Sequence, residues 1–171
     1  VYKRQAYNIN LNTTNVRIAT DIAFEIREKG RSKRKPNPKS PILLDGEIIR
    51  DKKGAPIKKS GLFKDVKAVG WYVDEFKCAQ ISINFNNYKK STIHEVFDKV
   101  CELANERGVR VTGSELVGLI PLDAMLMAGT FFLSKQRSSN GIPENDIINI
   151  VTQSLGLNDV TPFDPRKKII E

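Results

Sequence analysis

One histidine, His94, and two cysteines, Cys78 and Cys101, bound the chemistry open to this chain of 171 residues. They are too few and too scattered for a metal-ligand cluster, so no metal is expected. His94 stands at the start of an apolar-periodic run, after Ser91-Thr92-Ile93 and before Glu95. That position suits a helix cap or a structural role better than a general base. Ser114-Glu115, following Gly113, reads as a helix cap or an anion-facing turn. Asp45, Glu47 and Asp51 flank turns and lack the spacing of a calcium loop. The more informative groups are neutral. Asn8 and Asn10 alternate with Tyr7, Ile9 and Leu11, and Gln80, Ser82 and Asn84 alternate with Ala79, Ile81, Ile83 and Phe85. Period-two spacing places amides and a hydroxyl together on one strand face. Asparagine is poor in strands, so the pair on one face is either a wet amide ladder or the wall of a polar ligand site.

The elements that must hold these groups follow from pattern. Phe63–Asn86 reads as two strands joined by a turn at Asp74-Glu75. In the first strand, Val69, Trp71 and Val73 are expected on the apolar side. Val66, Ala68, Gly70 and Tyr72 are then left on a notched face suited to close approach by a ligand or another sheet. Lys67 falls on the apolar side in strict alternation and serves a ligand only from a strand end or a bulge. Ala6–Leu11 is a strand. Thr13 or Thr14 then caps a helix to about Lys29, with Ile18, Ile22 and Ile26 on one stripe and Gly30 as stop. A second helix opens at Ser91 or Thr92, with a capping-box partner in Glu95, and ends at Gly108. Val109–Val111 is a short strand and Thr112–Glu115 a turn. Helices follow over Pro121–Lys135 and Pro143–Leu155, and the tail PFDPRKKIIE begins one further strand. The predicted fold class is α+β. It is a ferredoxin-like split βαβ sandwich, β-α-β-β-α-β plus extra C-terminal helices, with helices on one face of the sheet. The other face would collect Asn8, Asn10, Gln80, Ser82 and Asn84. A fold of this kind serves many functions.

Arg31–Leu62 interrupts the pattern as a basic, proline-rich excursion with a hairpin signal at Asp45-Gly46 and a turn at Asp51–Gly54. It reads either as a solvated excursion or as an electrostatic funnel for an anion, and not as a core element. With 40% hydrophobic and 28% charged residues the chain is globular, not disordered. Its net charge of +8 favours an anionic partner: nucleic acid, an acidic membrane surface or a polycarboxylate. An RNA-binding sheet needs exposed aromatics for stacking, and Tyr72 alone is thin support. With no bilayer-length apolar run and no leader, a soluble protein without a membrane partner is expected. Cysteines buried as small apolar residues point to a reducing, cytoplasmic compartment. Residue 1 is Val, so the chain is expected to be a piece of something longer.

Several long ordered blocks are more specific than any of these signals. AYNINLNT, VKAVGWYVDE, AQISINFNNY, IHEVFDKV, VTGSELVGLIPLDAML and the closing SLGL and PFDPRKKIIE together resemble glutamate formiminotransferase. They are similar to its C-terminal subdomain, also found in the front part of bifunctional formiminotransferase–cyclodeaminases. The resemblance runs from about Ala6 to Glu171 and is interrupted only by the excursion, residues 31–62. It implies transfer of a formimino group from N-formiminoglutamate to tetrahydrofolate in histidine degradation. It further implies two subdomains whose sheets face each other across a folate groove, with tetrahydrofolate as co-substrate. Asn8, Asn10, Gln80, Ser82 and Asn84 are the expected folate or substrate residues, with Lys67 and Tyr72 beside them. The family's catalytic histidine belongs to the N-terminal subdomain, which is missing here, so no catalytic residue is assigned and His94 does not inherit the role. The family's Gly-Ala-Arg segment ahead of the first strand is not matched by Val1–Gln5. The expected partner is therefore the missing half, and the chain alone is expected to be inactive. A homo-oligomer stays open. The competing class is a non-enzymatic interaction module that uses the open sheet.

Overall fold

The computed structural model describes residues 4–171; Val1, Tyr2 and Lys3, the start of the basic lead, lie outside the described residues. Four strands form one antiparallel sheet: β1 (Gln5–Leu11), β2 (Val66–Val73), β3 (Cys78–Phe85) and β4 (Val111–Val117). Their spatial order is β2-β3-β1-β4, the ferredoxin-like arrangement. Helices α1 (Val16–Ile26) and α2 (Ile93–Glu106) cover one face. Beyond α2 lie α3 (Leu122–Lys135) and α4 (Glu144–Ser154). The core lies between sheet and helices. Tyr7, Ile9, Leu11, Ile81, Ile83 and Phe85 meet Ile22, Ile26, Val96 and Val100, all buried. Each such aliphatic side chain contributes roughly 1.5–3 kcal/mol through burial.

α1 is capped by Asn15, whose side chain accepts from the Arg17 N–H, and not by the threonines before it. Thr13 instead accepts from the Asn15 N–H at 3.1 Å and shapes the entry. The helix stops at Ile26, short of Lys29, because the next residues turn to pair with the sheet edge. There the Glu28 N–H donates to the Val66 carbonyl at 2.9 Å. α2 begins as its sequence signals require: Thr92 accepts from the Glu95 N–H and donates its hydroxyl to the Glu95 carboxylate at 2.7 Å.

The register corrects the expected phase of β2. Val66, Ala68, Gly70 and Tyr72 lie opposite Phe85, Ile83, Ile81 and Ala79, on the helix side. Lys67, Val69, Trp71 and Val73 lie opposite Asn84, Ser82, Gln80 and Cys78, on the open side. The cause is the close crossing of α1. A Cβ at Gly70 would sit 2.3 Å from the Thr20 nitrogen and 2.6 Å from the Ala19 carbonyl carbon. Gly70 therefore admits a helix, not a ligand. Tyr72 is on the helix side at the end of the strand, so it does not belong with the open-face amides.

β4 is longer than the short strand expected and contains the Thr112–Glu115 segment read as a turn. Those turn-like residues are needed for what crosses the strand. Ser114 is fully buried. Its hydroxyl accepts from Tyr7 Oη at 2.6 Å and donates to the Leu155 carbonyl at 2.6 Å. Its N–H donates to the Gly156 carbonyl at 3.1 Å, so the chain leaving α4 covers the edge of β4. A Cβ at Gly113 would lie 2.3 Å from Asp159 Cβ, which explains the glycine. The tail makes a helical turn (Pro165–Lys168), then the further strand expected, Ile169–Ile170, parallel to Ile120–Pro121.

The excursion is more ordered than a solvated loop. Arg31–Ser32 pairs with Lys58–Lys59, and the predicted hairpin at Asp45-Gly46 is instead a 3-10 turn over Leu43–Asp45. Its anchor is the fully buried Asp21 of α1. Asp21 Oδ1 accepts from Arg31 Nη2 at 2.7 Å and the Leu44 N–H at 2.9 Å. Oδ2 accepts from Arg107 Nε at 2.7 Å and the Leu43 N–H at 3.1 Å. Four donors on one buried carboxylate compensate its desolvation.

Candidate functional site

Antiparallel register sets the open face as rows across β2, β3, β1 and β4. Lys67, Asn84, Ala6 and Val117 make one row; Val69, Ser82, Asn8 and Glu115 the next; Trp71, Gln80, Asn10 and Gly113 the third. The face thus carries the five amide and hydroxyl residues expected of it, and Lys67 joins them at a regular strand position without any bulge. It also carries residues that the sequence reading left elsewhere. Val69, Trp71 and Val117 are exposed large apolar side chains, and Glu115 is a half-buried carboxylate.

The third row is a connected hydrogen-bond chain. Trp71 Nε1 donates to Gln80 Oε1 at 2.7 Å, and Gln80 Nε2 donates to Asn10 Oδ1 at 2.7 Å. Gln80 also reaches Glu115 Oε2 at 3.5 Å, and Asn10 Nδ2 reaches Asp159 Oδ2 at 3.4 Å. Thr112 Oγ1 donates to the same Asp159 oxygen at 3.1 Å. Gln80 and Asn10 are almost wholly buried, so they fix their neighbours in place and present nothing to solvent. Asn8 is also buried, Ser82 is half-buried and Asn84 is exposed. The groups a ligand can touch are therefore the Trp71 indole, Ser82, Asn84, Lys67 and Glu115. Where the first row meets the strand ends, Arg4, Ala6, Lys67, Asn84 and Asn86 line a depression of about 300 Å³. Chemically the open face offers an exposed indole, neutral donors and acceptors, one carboxylate and, at its first-row end, cations.

Proton-transfer groups lie elsewhere. His94 is buried on the helix side, its Nε2 is 3.1 Å from Thr92 Oγ1, and its ring centroid is 4.7 Å from that of Phe131. Burial lowers its pKa below the ordinary imidazole value, so the neutral ring is favoured. Cys78 is half-buried at the end of the open face. Its thiol is raised first by partial burial and then by the Asp159 and Glu115 carboxylates. Burial likewise pushes the Cys101 thiol up to about 11. Both cysteines are free thiols held neutral. Among the described residues, no group of three or more His, Cys, Asp and Glu is placed to hold a metal.

Comparison with known proteins gives this site a context. A family described as the formiminotransferase domain matches residues 6–171. The chain belongs to that family. This formiminotransferase domain is 36% identical to the formimidoyltransferase-cyclodeaminase of Sus scrofa over 97% of its own length, covering 26% of that relative. The corresponding protein of Dictyostelium discoideum is 34% identical over the same shares, 97% and 26%. The glutamate formimidoyltransferase of Thermoplasma acidophilum is 29% identical, over 84% of this domain and 36% of that protein. The domain thus spans well under half of the curated relatives it matches, all of which are named as formimidoyltransferases. Among the described residues no helix is long and apolar enough to cross a membrane.

Proposed function

We propose that this domain is the folate-binding half of a formimino transfer site and that residues 1–171 form one subdomain, the other half being a companion subdomain in the whole protein. The observation that carries this reading is the hydrogen-bonded row on the open sheet face, Trp71–Gln80–Asn10. It holds an exposed indole on the same face as Ser82, Asn84 and Glu115, a face left open over β2 and covered beside Asn10 and Gly113 by the Asp159 segment. A pterin is flat and edged with amide-like donors and acceptors. An indole face can stack on it, the Ser82 hydroxyl and the Glu115 carboxylate can bond its edge, and the exposed Asn84 amide lies farther along β3 toward Lys67. Lys67 and Arg4 at the rim suit the carboxylates of a folate tail and of N-formiminoglutamate.

In the proposed reaction, N5 of tetrahydrofolate attacks the amidine carbon of N-formiminoglutamate. The new N5–C bond forms, the bond from that carbon to the glutamate nitrogen breaks, and the proton from N5 passes to the departing amine. This domain orients the pterin and excludes water from one side. The acid–base group comes from the companion, because His94 is buried on the wrong face. The isolated chain is then inactive, and the intact protein works in cytoplasmic histidine catabolism.

A second reading has its own support. Val69, Val117 and Leu119 are exposed at 53%, 45% and 52%, a set of apolar side chains that suits protein docking alone. Substitution separates the two. In the assembled enzyme, Ser82→Leu with Asn84→Leu is expected to weaken folate binding at least tenfold with no loss of thermal stability. Unchanged folate affinity would remove both residues from the site and favour the docking reading.

A further inference from the structure

A cavity of about 270 Å³ opens on the helix side, away from the amide rows, between α1, the turn at Gly30 and the basic excursion. Five of its lining side chains are cationic, Arg27, Lys29, Arg31, Arg34 and Lys58, and none is acidic. Phe24 and Leu44 supply the apolar wall. A solvated basic loop would leave its cations loose, but here Arg27, Arg34 and Lys58 are each held by a neutral acceptor. Arg27 donates through Nε to the Gly30 carbonyl at 2.9 Å and stacks with Cζ 3.8 Å above the Phe24 ring. Arg34 Nη1 donates to the Leu44 and Gly46 carbonyls at 3.1 and 2.8 Å. Lys58 Nζ donates to Ser32 Oγ at 3.1 Å. Fixing each group by a neutral acceptor orients it without cancelling its charge.

The carboxylates around this wall are already shared, Asp45, near Arg34, being held by Arg17. Asp21 bridges Arg31 and Arg107, and Glu25 bridges Arg31 and, at 3.9 Å, Lys59. Arg31 is 5% exposed, and its Nε has no hydrogen-bond partner. An unpaired buried guanidinium N–H is costly, and Asp21 and Glu25 do not satisfy this one. The pKa of Arg27 is lowered by partial burial and by the like charge of Arg31, as expected where positive potential is not neutralised from within. One carboxylate would satisfy one guanidinium fork. Several fixed cations around so small a space match the charge density and multiple oxygens of a phosphate group.

We infer that the cavity between α1 and the basic excursion is a binding site for a small phosphate-bearing anion, separate from the open-face site. The test is calorimetric titration of the full chain with inorganic pyrophosphate and with O-phosphoserine at constant ionic strength, with citrate and sodium chloride as comparisons. One saturable site for either phosphate is expected, and the tighter of the two tells a diphosphate from a monoester. Lys58→Gln and Arg27→Gln are each expected to weaken it at least tenfold, while Lys77→Gln, on the β2–β3 turn, leaves it unchanged. Lys58 is exposed, so its variant stays folded even where Arg27→Gln does not. Heats no larger than with sodium chloride, equal binding by citrate, or equal binding by Lys58→Gln would each overturn the site.

Discussion

At the scale of single residues, the open face is governed by two amides that solvent never reaches. Gln80 uses its oxygen on Trp71 and its nitrogen on Asn10, so the indole is held at a fixed angle although its own exposure is 47%. Replacing Gln80 by Leu leaves the Asn10 oxygen and the indole N–H without partners. The expected cost is about 1–3 kcal/mol in urea unfolding. Trp71 is the only tryptophan, so its emission reports the same event directly. Gln80→Leu should shift that emission while far-UV circular dichroism stays unchanged; an unaltered spectrum would mean the chain does not orient the indole. His94 makes a separate prediction. Its folded pKa lies below the unfolded value, so the unfolded chain takes up the proton first. Its contribution is complete above the unfolded pKa of about 6.5 and is lost as pH falls below it. Thermal unfolding between pH 7.5 and 5.5 should show a drop that His94→Gln reduces. An equal drop in both proteins would assign the effect elsewhere.

At the scale of elements, the hydrophobic stripes of α1 and α2, the alternation of β1 and β3, and the order of strands were legible because each rests on a local period. The phase of β2 was not. Both of its faces carry small or apolar residues, and either phase pairs acceptably with β3 in isolation. α1 decides it, by requiring Ala68 and Gly70 beneath its backbone. Lys67 was the available signal, since a lysine in phase with Val69 and Trp71 argues that this face is not core. β4 was misread for a related reason. Gly113 and Ser114 look like turn residues, yet they serve contacts with Asp159 and Leu155, far along the chain. That error also hid Glu115 as a residue of the open face. The role now given to Gly70 is testable: Gly70→Ala should destabilise the domain by about 1–3 kcal/mol, because backbone must move. Equal stability by urea unfolding would show that α1 does not press on β2 as described.

At the scale of the whole molecule, one layer of helices buries one sheet face, and the other face stays polar, partly apolar and open over β2, with the Asp159 segment covering it beside Asn10 and Gly113. The excursion does not disturb this division. Asp21 ties it to α1 and α2 on the helix side, so its positive charge gathers away from the amide rows. The molecule therefore has two chemically different surfaces, and the proposed folate site is the open one, completed by a companion subdomain. The most direct test is calorimetric titration of 5-formyltetrahydrofolate into this chain alone, and then into its mixture with the companion half of a formimidoyltransferase relative. Saturable binding is expected only in the mixture, with quenching of Trp71 emission. Full binding by the chain alone would contradict the claim that it is half of a groove. No binding in a mixture whose halves demonstrably associate would contradict the claim that its open face binds folate.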